Sequence, residues 1–433
     1  MNKSRYFIRG RSYGAEDTQL QAALESVHDA PERPRCMCVQ GGVEMYVAKH
    51  REFVLKRMPG TGGRHHPTCQ SFEPEAGTSG LGELIGEAIV EHELGKVEIR
   101  TDFPLARFGG KAPPRGGPGD GGLEPTAVSA PRKRMSLRAV LHFLYERAGF
   151  NRWYPGMEGK RTQNVIRNFL MEAARGVTLK GDMLDQRLYV PETFRVEKQE
   201  EIGARRREKL AMLMSPGADV QFKLGIVIGQ FVDVEPTAYG RRITVKHMPD
   251  VPLYIENKAW EKAERAYGSI LQARDADVER KPKVVMAALI YAKREHLYQV
   301  DTLTFMLVSE QWVPLNGLYE LDLVERLQAE RRVFWKPLKY DAKSAAGYPS
   351  VLLLDSEGGP KALHVVSPFM DPKEQAATRK SAEGEGNVVW LWETDKVMPL
   401  LPPPVADQRR QDGRGESAGT AQATGPVATV PNG

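Results

Sequence analysis

The chain has 433 residues, of which 41% are hydrophobic and 27% charged, and its 61 Lys and Arg against 56 Asp and Glu leave a formal net charge of +5. This balance is ordinary for a soluble protein of two or three domains, and it is too small to indicate a nucleic-acid partner by itself. The sequence has no long apolar run and no apolar stretch near its start, which argues against a membrane protein, a secreted disulfide scaffold and a collagen-like fibre, so we expect a cytoplasmic protein without a membrane partner.

The first predicted module spans residues 1–108 and contains all three cysteines of the chain, Cys36, Cys38 and Cys69. An odd number of cysteines without an export signal argues against a disulfide framework. Three interpretations stay open for these residues: a metal site, three free thiols in a reducing compartment, and a redox site.

Two histidines, His65 and His66, precede Cys69 closely enough to complete a metal site. Three thiolates and one imidazole form the closed tetrahedral set of a structural zinc ion, and soft thiolate ligands favour zinc over magnesium or calcium. Predicted strands at residues 43–48 and 52–55 would form a hairpin that brings the two ligand groups together. The sequence therefore predicts one structural zinc ion per chain, held by the three cysteines and one of the two histidines.

Residues 35–72 resemble an uncharacterised bacterial family, a domain of unknown function that is marked by three N-terminal cysteines. The matching segments are residues 35–38, 45–48, 55–62 and 65–69, and further downstream 151–153, 159–161 and 335–341. The resemblance reaches to about residue 368 and implies no known activity. Members of that family are often encoded on plasmids and integrative conjugative elements, which implies a mobile-element setting for this chain.

A helix is predicted at residues 81–94 and a strand at residues 97–103, and after them the composition changes sharply. Seven of the fourteen residues from 109 to 122 are glycine, and three prolines interrupt the rest. Because such a stretch cannot bury a core, we expect a flexible linker at residues 109–131.

A helical module is predicted at residues 132–214, with helices at 137–148, 162–175 and 197–212. Ser136 is a natural N-cap for the first of these helices. Helices followed by a short strand are typical of a winged-helix or helix-turn-helix module.

Between residues 132 and 175 the chain has ten basic and three acidic residues, a local excess of seven charges that exceeds the net charge of the whole chain. Such a window, with aromatic residues among its charges, favours binding of nucleic acid, with DNA as the expected partner. A solvated basic face without a partner is the alternative interpretation. The candidate contacts to nucleic acid are Arg138, Arg152, Trp153, Lys160, Arg161 and Arg167.

A mixed α/β sheet module is predicted at residues 215–400. Within it, an apolar strand that ends at Asp355 and a following strand at residues 362–366 resemble the outline of nucleases of the PD-(D/E)xK type, which hold magnesium on acids at strand ends. The second strand lacks the acid and the lysine that such a site needs. We therefore expect either a degenerate nuclease-like fold, in which Asp355 is the one catalytic candidate, or an unrelated mixed sheet.

Together these patterns predict an α+β protein of several domains: a small zinc-bound β-rich module, a winged-helix-like module and a mixed sheet module, with a disordered tail at residues 401–433. The favoured function is a zinc-containing, nucleic-acid-binding accessory protein of a mobile element. The alternatives are a metal-dependent nuclease and a protein-interaction scaffold whose basic face meets an acidic partner. Because the catalytic set is incomplete, we favour the interpretation without an enzyme activity.

Overall fold

A computed structural model describes residues 5–49, 52–93, 95–107, 133–214, 222–294, 297–384 and 390–405. The predicted linker at residues 109–131 lies outside these ranges, and so does the part of the predicted disordered tail from residue 406 onwards. For residues 401–405 the tail prediction is wrong, because Pro404 forms a bridge with Ser356 and the backbone N–H of Val405 donates to the oxygen of Asp355 at 2.8 Å. The described chain combines helices and strands in several sheets, which confirms the predicted mixture of α and β structure. None of the helices in the described ranges has both the length and the apolar character needed to cross a bilayer.

The described ranges contain eight α-helices: α1 (Leu20–Val27), α2 (Leu137–Arg147), α3 (Gln163–Ala174), α4 (Leu184–Arg187), α5 (Gln199–Leu210), α6 (Asn257–Ala276), α7 (Leu321–Ala329) and α8 (Pro372–Gly384). Helix α2 begins after Ser136, whose Oγ accepts a hydrogen bond of 3.2 Å from the backbone N–H of Ala139. This contact confirms the predicted cap, which satisfies one of the free N–H groups in the first turn of the helix.

The same ranges contain 23 strands: β1 (Arg5–Ile8), β2 (Arg11–Gly14), β3 (Arg35–Cys36), β4 (Val43–Lys49), β5 (Phe53–Arg57), β6 (Ile89–Glu93), β7 (Lys96–Ile99), β8 (Ala106–Arg107), β9 (Arg152–Trp153), β10 (Val177–Leu179), β11 (Asp182–Met183), β12 (Leu188–Tyr189), β13 (Phe222–Lys223), β14 (Gly225–Thr237), β15 (Gly240–Val245), β16 (Leu253–Ile255), β17 (Lys283–Arg294), β18 (Leu297–Val308), β19 (Pro314–Leu315), β20 (Phe334–Trp335), β21 (Val351–Leu353), β22 (Lys361–Val366) and β23 (Trp390–Glu393).

The N-terminal sheet is antiparallel, with the order β2-β1-β3-β4-β5, and α1 packs against it. Its apolar cluster has only three buried members, Ile8, Leu24 and Val27, surrounded by half-buried side chains. A lobe with so small a core needs a further source of stability, as other small domains do.

The next sheet joins strands from both sides of the predicted linker. Its order is β11-β10-β7-β6, and β7 runs parallel to β10, with Val97 opposite Val177. Strand β8 likewise pairs with β13, with Arg107 opposite Phe222. Helix α2 belongs to the same buried core as this sheet and packs on β17 and β18. The predicted modules at residues 1–108, 132–214 and 215–400 therefore share sheets and cores, and residues 132–214 do not form a winged-helix module of their own.

The helix predicted at residues 81–94 is wrong. Residues 79–88 form a series of turns, and residues from Ile89 onwards form β6, which pairs with β7. Two glycines interrupt the segment, and Gly86 adopts a φ of +80°, which lies in the left-handed region that ends a helix.

Five strands between residues 225 and 308 close into a barrel. Strand β14 pairs with β15, β15 with β16, β16 with β18, β18 with β17, and β17 with β14, and of these five contacts β16–β18 alone is parallel. Strand β14 has two pairing partners. Its first half pairs with β17 and its second half pairs with β15, and the register shifts between Phe231 and Asp233. Helix α6 connects β16 to β17. This is the connectivity of the OB-fold, a five-stranded Greek-key barrel.

The inner side of the barrel belongs to a second apolar core, which also includes residues of the last sheet such as Leu363. Phe231, Trp260 and Phe305 pack together there, with ring centroids 5.1 to 6.3 Å apart, so the first turn of α6 contributes an aromatic ring to the barrel interior. On the outer side, residues of β14, β17 and β18 such as Ile226 and Leu289 join the core that contains α2. The barrel is therefore covered on one outer side by the middle of the chain.

The remaining sheet has the order β23-β22-β21-β20-β9 and again combines distant segments, because β9 pairs with β20. Trp335, Trp390 and Trp392 are buried in it, and Trp312 is buried in the core beside α2. These large aromatic side chains fill the cores of the sheets.

Candidate metal centre

The three cysteines and one histidine come from two turns that the N-terminal sheet holds together. Cys36 ends β3 and pairs with Val43 at the start of β4, and Cys38 lies in the turn that joins these two strands. A short 3-10 turn, Gly62–Arg64, follows β5 and ends at His65, and Cys69 lies in the next turn. The predicted hairpin of β4 and β5 therefore does place the second ligand group against the first.

The four ligand atoms form one compact cluster. The Sγ atoms of Cys36 and Cys69 are 3.7 Å apart, and Nδ1 of His65 lies 3.3 Å from Cys38 Sγ and 3.8 Å from Cys69 Sγ. All four ligand atoms lie within 4.8 Å of one another. Within the described ranges, this is the one group of three or more His, Cys, Asp or Glu residues with such spacing.

These distances fit a tetrahedral zinc ion. With Zn–S bonds of about 2.3 Å, neighbouring sulfurs lie about 3.8 Å apart, because the edge of a tetrahedron is about 1.6 times the distance from its centre to a vertex. The separation of 3.7 Å between Cys36 and Cys69 matches that edge and is far longer than a disulfide bond of about 2.05 Å. The cluster can therefore hold one metal ion, and its donor set is that of a closed zinc site.

Two of the candidate ligands, Cys69 and His65, have pKa values that are shifted toward the protonation states a metal requires. A hydrogen bond from the Cys36 thiol lowers the pKa of Cys69 to about 5, and the backbone N–H of Ser71, 3.4 Å from Cys69 Sγ, acts in the same direction. The same thiol contact raises the pKa of Cys36, whereas burial raises the pKa of Cys38. Burial also lowers the pKa of His65. A thiolate and a neutral imidazole are the protonation states that bind a metal.

The structure places His65, and not His66, in the cluster with the three cysteines. His65 is buried, and its Nε2 has no hydrogen-bond partner among the described residues, so the ring offers the sulfurs its Nδ1 side. His66 is exposed, and its Nδ1 lies 2.9 Å from the hydroxyl of Thr68. The backbone N–H of His66 donates to Cys38 Sγ at 3.4 Å, so His66 supports the site through its main chain.

Arg152 connects the second ligand turn to the rest of the protein. Its Nη1 donates to the backbone oxygens of Cys69, at 3.2 Å, and Gln70, and its Nη2 donates to that of Phe72. These carbonyls follow the last metal ligand, and the guanidinium satisfies all three of them from one side. Arg152 therefore fixes the turn that carries Cys69.

Three of the predicted nucleic-acid contacts are wrong, because their side chains are buried. Arg152 is 9% exposed, Trp153 is 1% exposed and Arg161 is 7% exposed. Arg161 donates to the backbone oxygens of Phe150, at 2.8 Å, and Gln311, at 3.2 Å, and its guanidinium lies over the Trp153 ring at 5.4 Å. These side chains hold the protein together and cannot reach a nucleic acid.

The other three predicted contacts have side chains that are exposed or half-buried. Lys160 is exposed, while Arg138 and Arg167 are half-buried on α2 and α3. Because Arg152 and Arg161 are buried, the basic window offers fewer charges to a phosphate backbone than its composition indicates.

Asp355, the catalytic candidate, is part of an ion pair. Its Oδ1 accepts from Nε of Arg332 at 3.1 Å, and its Oδ2 accepts from the backbone N–H of Val333 at 2.9 Å. Both charged side chains are largely buried. In the described part of the chain, Asp355 joins no cluster of three or more metal-ligating residues, so its position is that of a structural residue beyond a strand end.

The comparisons with known proteins give one match. The model of the family described as "Protein of unknown function (DUF1173)" matches residues 6–395. Neither a search of curated proteins nor a search of solved structures finds a match to the chain.

Proposed function

The chain belongs to the DUF1173 family of proteins of unknown function, and from this premise we propose that it is a zinc-containing, nucleic-acid-binding accessory protein. The metal part of the proposal is supported by the four ligand atoms that lie within 4.8 Å of one another. The nucleic-acid part is supported by the closed barrel with OB-fold connectivity, since barrels of this type commonly bind oligonucleotides.

The zinc ion has a structural role in this proposal. Catalytic zinc sites keep one position open for water or substrate, whereas here four protein donors lie close enough together to occupy all four positions. The N-terminal sheet has only a small apolar cluster, and a metal that ties β3 to the turn at Cys69 adds the stability that this lobe lacks.

The biological setting in this proposal rests on the sequence. The resemblance to a family that is often carried on plasmids and integrative conjugative elements supports a mobile-element role. Three free thiols, arranged as metal ligands, fit a reducing compartment, which supports a cytoplasmic location.

Elemental analysis and DNA binding test the two parts separately. We expect about one zinc per chain in the purified protein. In fluorescence anisotropy with labelled single-stranded and duplex DNA, we expect affinity to fall steeply as salt rises, because phosphate contacts release counterions. A folded protein that carries no metal contradicts the first part, and the absence of binding to any nucleic acid at low salt contradicts the second.

A pull-down distinguishes this function from a protein scaffold. Partners that bind through nucleic acid are lost when the lysate is treated with nuclease, whereas partners of a scaffold remain bound. Retention of every partner after nuclease treatment, together with the absence of direct DNA binding, would support the scaffold and overturn the proposal.

A further inference from the structure

The outer surface of β15 and β16 is the uncovered side of the barrel. Side chains on the inner side of these strands, among them Ile243 and Leu253, are buried in the barrel core. Arg242 is exposed on the opposite side, and the register places it directly across from Tyr254, which is half-exposed. The outer side of β17, in contrast, packs on α2.

Two turns border this surface at opposite ends of β16. The turn from β14 to β15 carries Tyr239, which is 98% exposed, and it lies at the end of β16, because Gly240 packs against the backbone of Ile255. The strands β17 and β18 are joined at the other end, since Leu253 at the start of β16 pairs with Tyr298 near the start of β18. In OB-fold barrels, the second and third strands and these two turns form the surface that binds oligonucleotides and oligosaccharides.

The chemistry of this surface matches an unpaired nucleic-acid strand. Tyr239 and Tyr254 offer aromatic rings that can stack on bases, and stacking of this kind needs bases that are not paired within a duplex. Lys293 and Arg294 are exposed at the end of β17 and offer cations to phosphates. Arg242 adds a third cation on β15, directly across from Tyr254.

Carboxylates also lie on this side, among them Asp233 and Glu235 on β14 and the exposed Glu256, two residues after Tyr254. The register places Glu235 opposite Arg242 and Asp233 opposite Thr244. Arg242 Nε donates to Glu235 at 3.1 Å, which neutralises that carboxylate and fixes the guanidinium against the sheet. Asp233 and Glu235 therefore lie on the β14 side and Glu256 lies just beyond β16, whereas the cations lie on β15 and at the end of β17.

We propose that a single-stranded nucleic acid binds across the outer surface of β15 and β16, from Tyr239 past Arg242 and Tyr254 to Lys293 and Arg294. The proposal rests on the nucleic-acid binding proposed above, and it adds the site and the class of ligand. Bases stack on the two tyrosines, and the three cations contact the phosphates.

The test uses the full chain with a labelled oligothymidine of about 20 nucleotides and a duplex of matched length. Tyr239→Ala and Tyr254→Ala should each weaken single-strand binding by about 5- to 150-fold. The double variant Lys293→Ala/Arg294→Ala should reduce the slope of log affinity against log salt by about 0.7 for each contact that is lost. Phe369→Ala is the matched aromatic control, since Phe369 is 90% exposed, and Lys373→Ala is the matched cationic control, since Lys373 is exposed on α8.

The possible results distinguish a failure of the proposed binding site from a failure of the proposed nucleic-acid-binding function. Tyr239 and Lys293 lie on exposed positions, so circular dichroism should show unchanged folding in these variants. Wild-type binding that none of the barrel variants weakens leaves the proposed function intact and overturns this site. Equal or tighter binding of the duplex overturns the single-stranded ligand. Failure of the wild-type protein to bind any nucleic acid overturns both proposals.

Discussion

Arg152 Nη1 donates a hydrogen bond of 3.2 Å to the backbone oxygen of Cys69, a residue 83 positions earlier in the chain. The contact joins the metal cluster to β9, which is an edge strand of the C-terminal sheet. An arginine that sequence composition assigns to a DNA-binding surface is thus an internal link between two parts of the fold.

Replacing Arg152 with methionine should lower the free energy of unfolding by about 2 to 4 kcal/mol, because three carbonyl oxygens lose a charged donor in a buried site. Urea denaturation with zinc present measures this loss. Lys160→Ala, at an exposed basic position of the same window, should change the value by no more than about 0.5 kcal/mol. If Arg152→Met and Lys160→Ala lower the free energy of unfolding by equally small amounts, Arg152 does not support the Cys69 turn.

Substitution of the two adjacent histidines should have opposite outcomes for metal content. His65→Ala removes a ligand atom that lies 3.3 Å from Cys38 Sγ, so we expect the zinc to be lost, as it should also be in Cys38→Ser. His66→Ala removes an exposed ring and should retain about one zinc per chain. Elemental analysis after gel filtration gives the ratio directly. Retention of full zinc in His65→Ala would exclude the ligand set described here.

The stability of the protein should depend on pH through Glu146. Its carboxyl accepts a hydrogen bond of 2.6 Å from the hydroxyl of Tyr340, and burial raises its pKa to about 8. The native state therefore keeps a proton that the unfolded chain loses near its ordinary pKa of 4.5, so the free energy of unfolding should fall as pH rises from about 4.5 to 8.

Glu146→Gln keeps the shape of the side chain and removes this titration. Compared with the wild type, the variant should gain stability as pH rises from about 5 to 8.5, and thermal melting of both proteins across that range measures the difference. A difference in melting temperature that stays constant with pH would contradict the assignment.

Lys336 and Glu320 form a buried ion pair with 2.6 Å between Nζ and Oε2, and both side chains are 1% exposed. Lys336→Met leaves the Glu320 carboxylate buried without its cation, so we expect a loss of about 3 to 5 kcal/mol in the free energy of unfolding. The double variant Lys336→Met/Glu320→Leu should recover a large part of this loss, since neither charge is then buried. Additive losses in the double-mutant cycle would argue against a coupled pair.

The exposed pair of Arg326 and Glu330, one helical turn apart with 2.8 Å between Nε and Oε1, is the matched control for this cycle. Breaking it by Arg326→Met should cost no more than about 0.5 kcal/mol, because solvent screens exposed pairs.

Local patterns in the sequence were sufficient for many single elements. The cap at Ser136 predicts the start of α2, and the strand patterns at residues 43–48 and 52–55 predict the hairpin of β4 and β5. The spacing of the cysteines and histidines predicts the metal cluster, because its ligands lie within 34 residues of sequence, from Cys36 to Cys69.

What the sequence did not predict depends on contacts between distant residues. Closure of the barrel requires β16 to pair with β18, and no local pattern specifies that parallel contact. The composition of the basic window favours an exposed position for Arg161. The fold instead uses the Arg161 side chain to satisfy backbone oxygens in the protein interior, a contact that no local pattern specifies. The surface of β15 and β16 was missed because a single exposed tyrosine has no sequence signature until the strands are assembled.

Strands β7 and β10 lie side by side although residues 107 and 133 are joined by a long connection. The bridge between Thr101 and Met135, with a hydrogen bond of 3.0 Å from the backbone N–H of Asp102 to the backbone oxygen of Met135, holds the two flanks of this connection together. Doubling the length of a connecting segment costs only about 0.6 kcal/mol in closure entropy. Insertions and deletions between residues 107 and 133 should therefore accumulate almost neutrally during evolution, and homologous chains should vary in length there far more than in the paired strands that flank it.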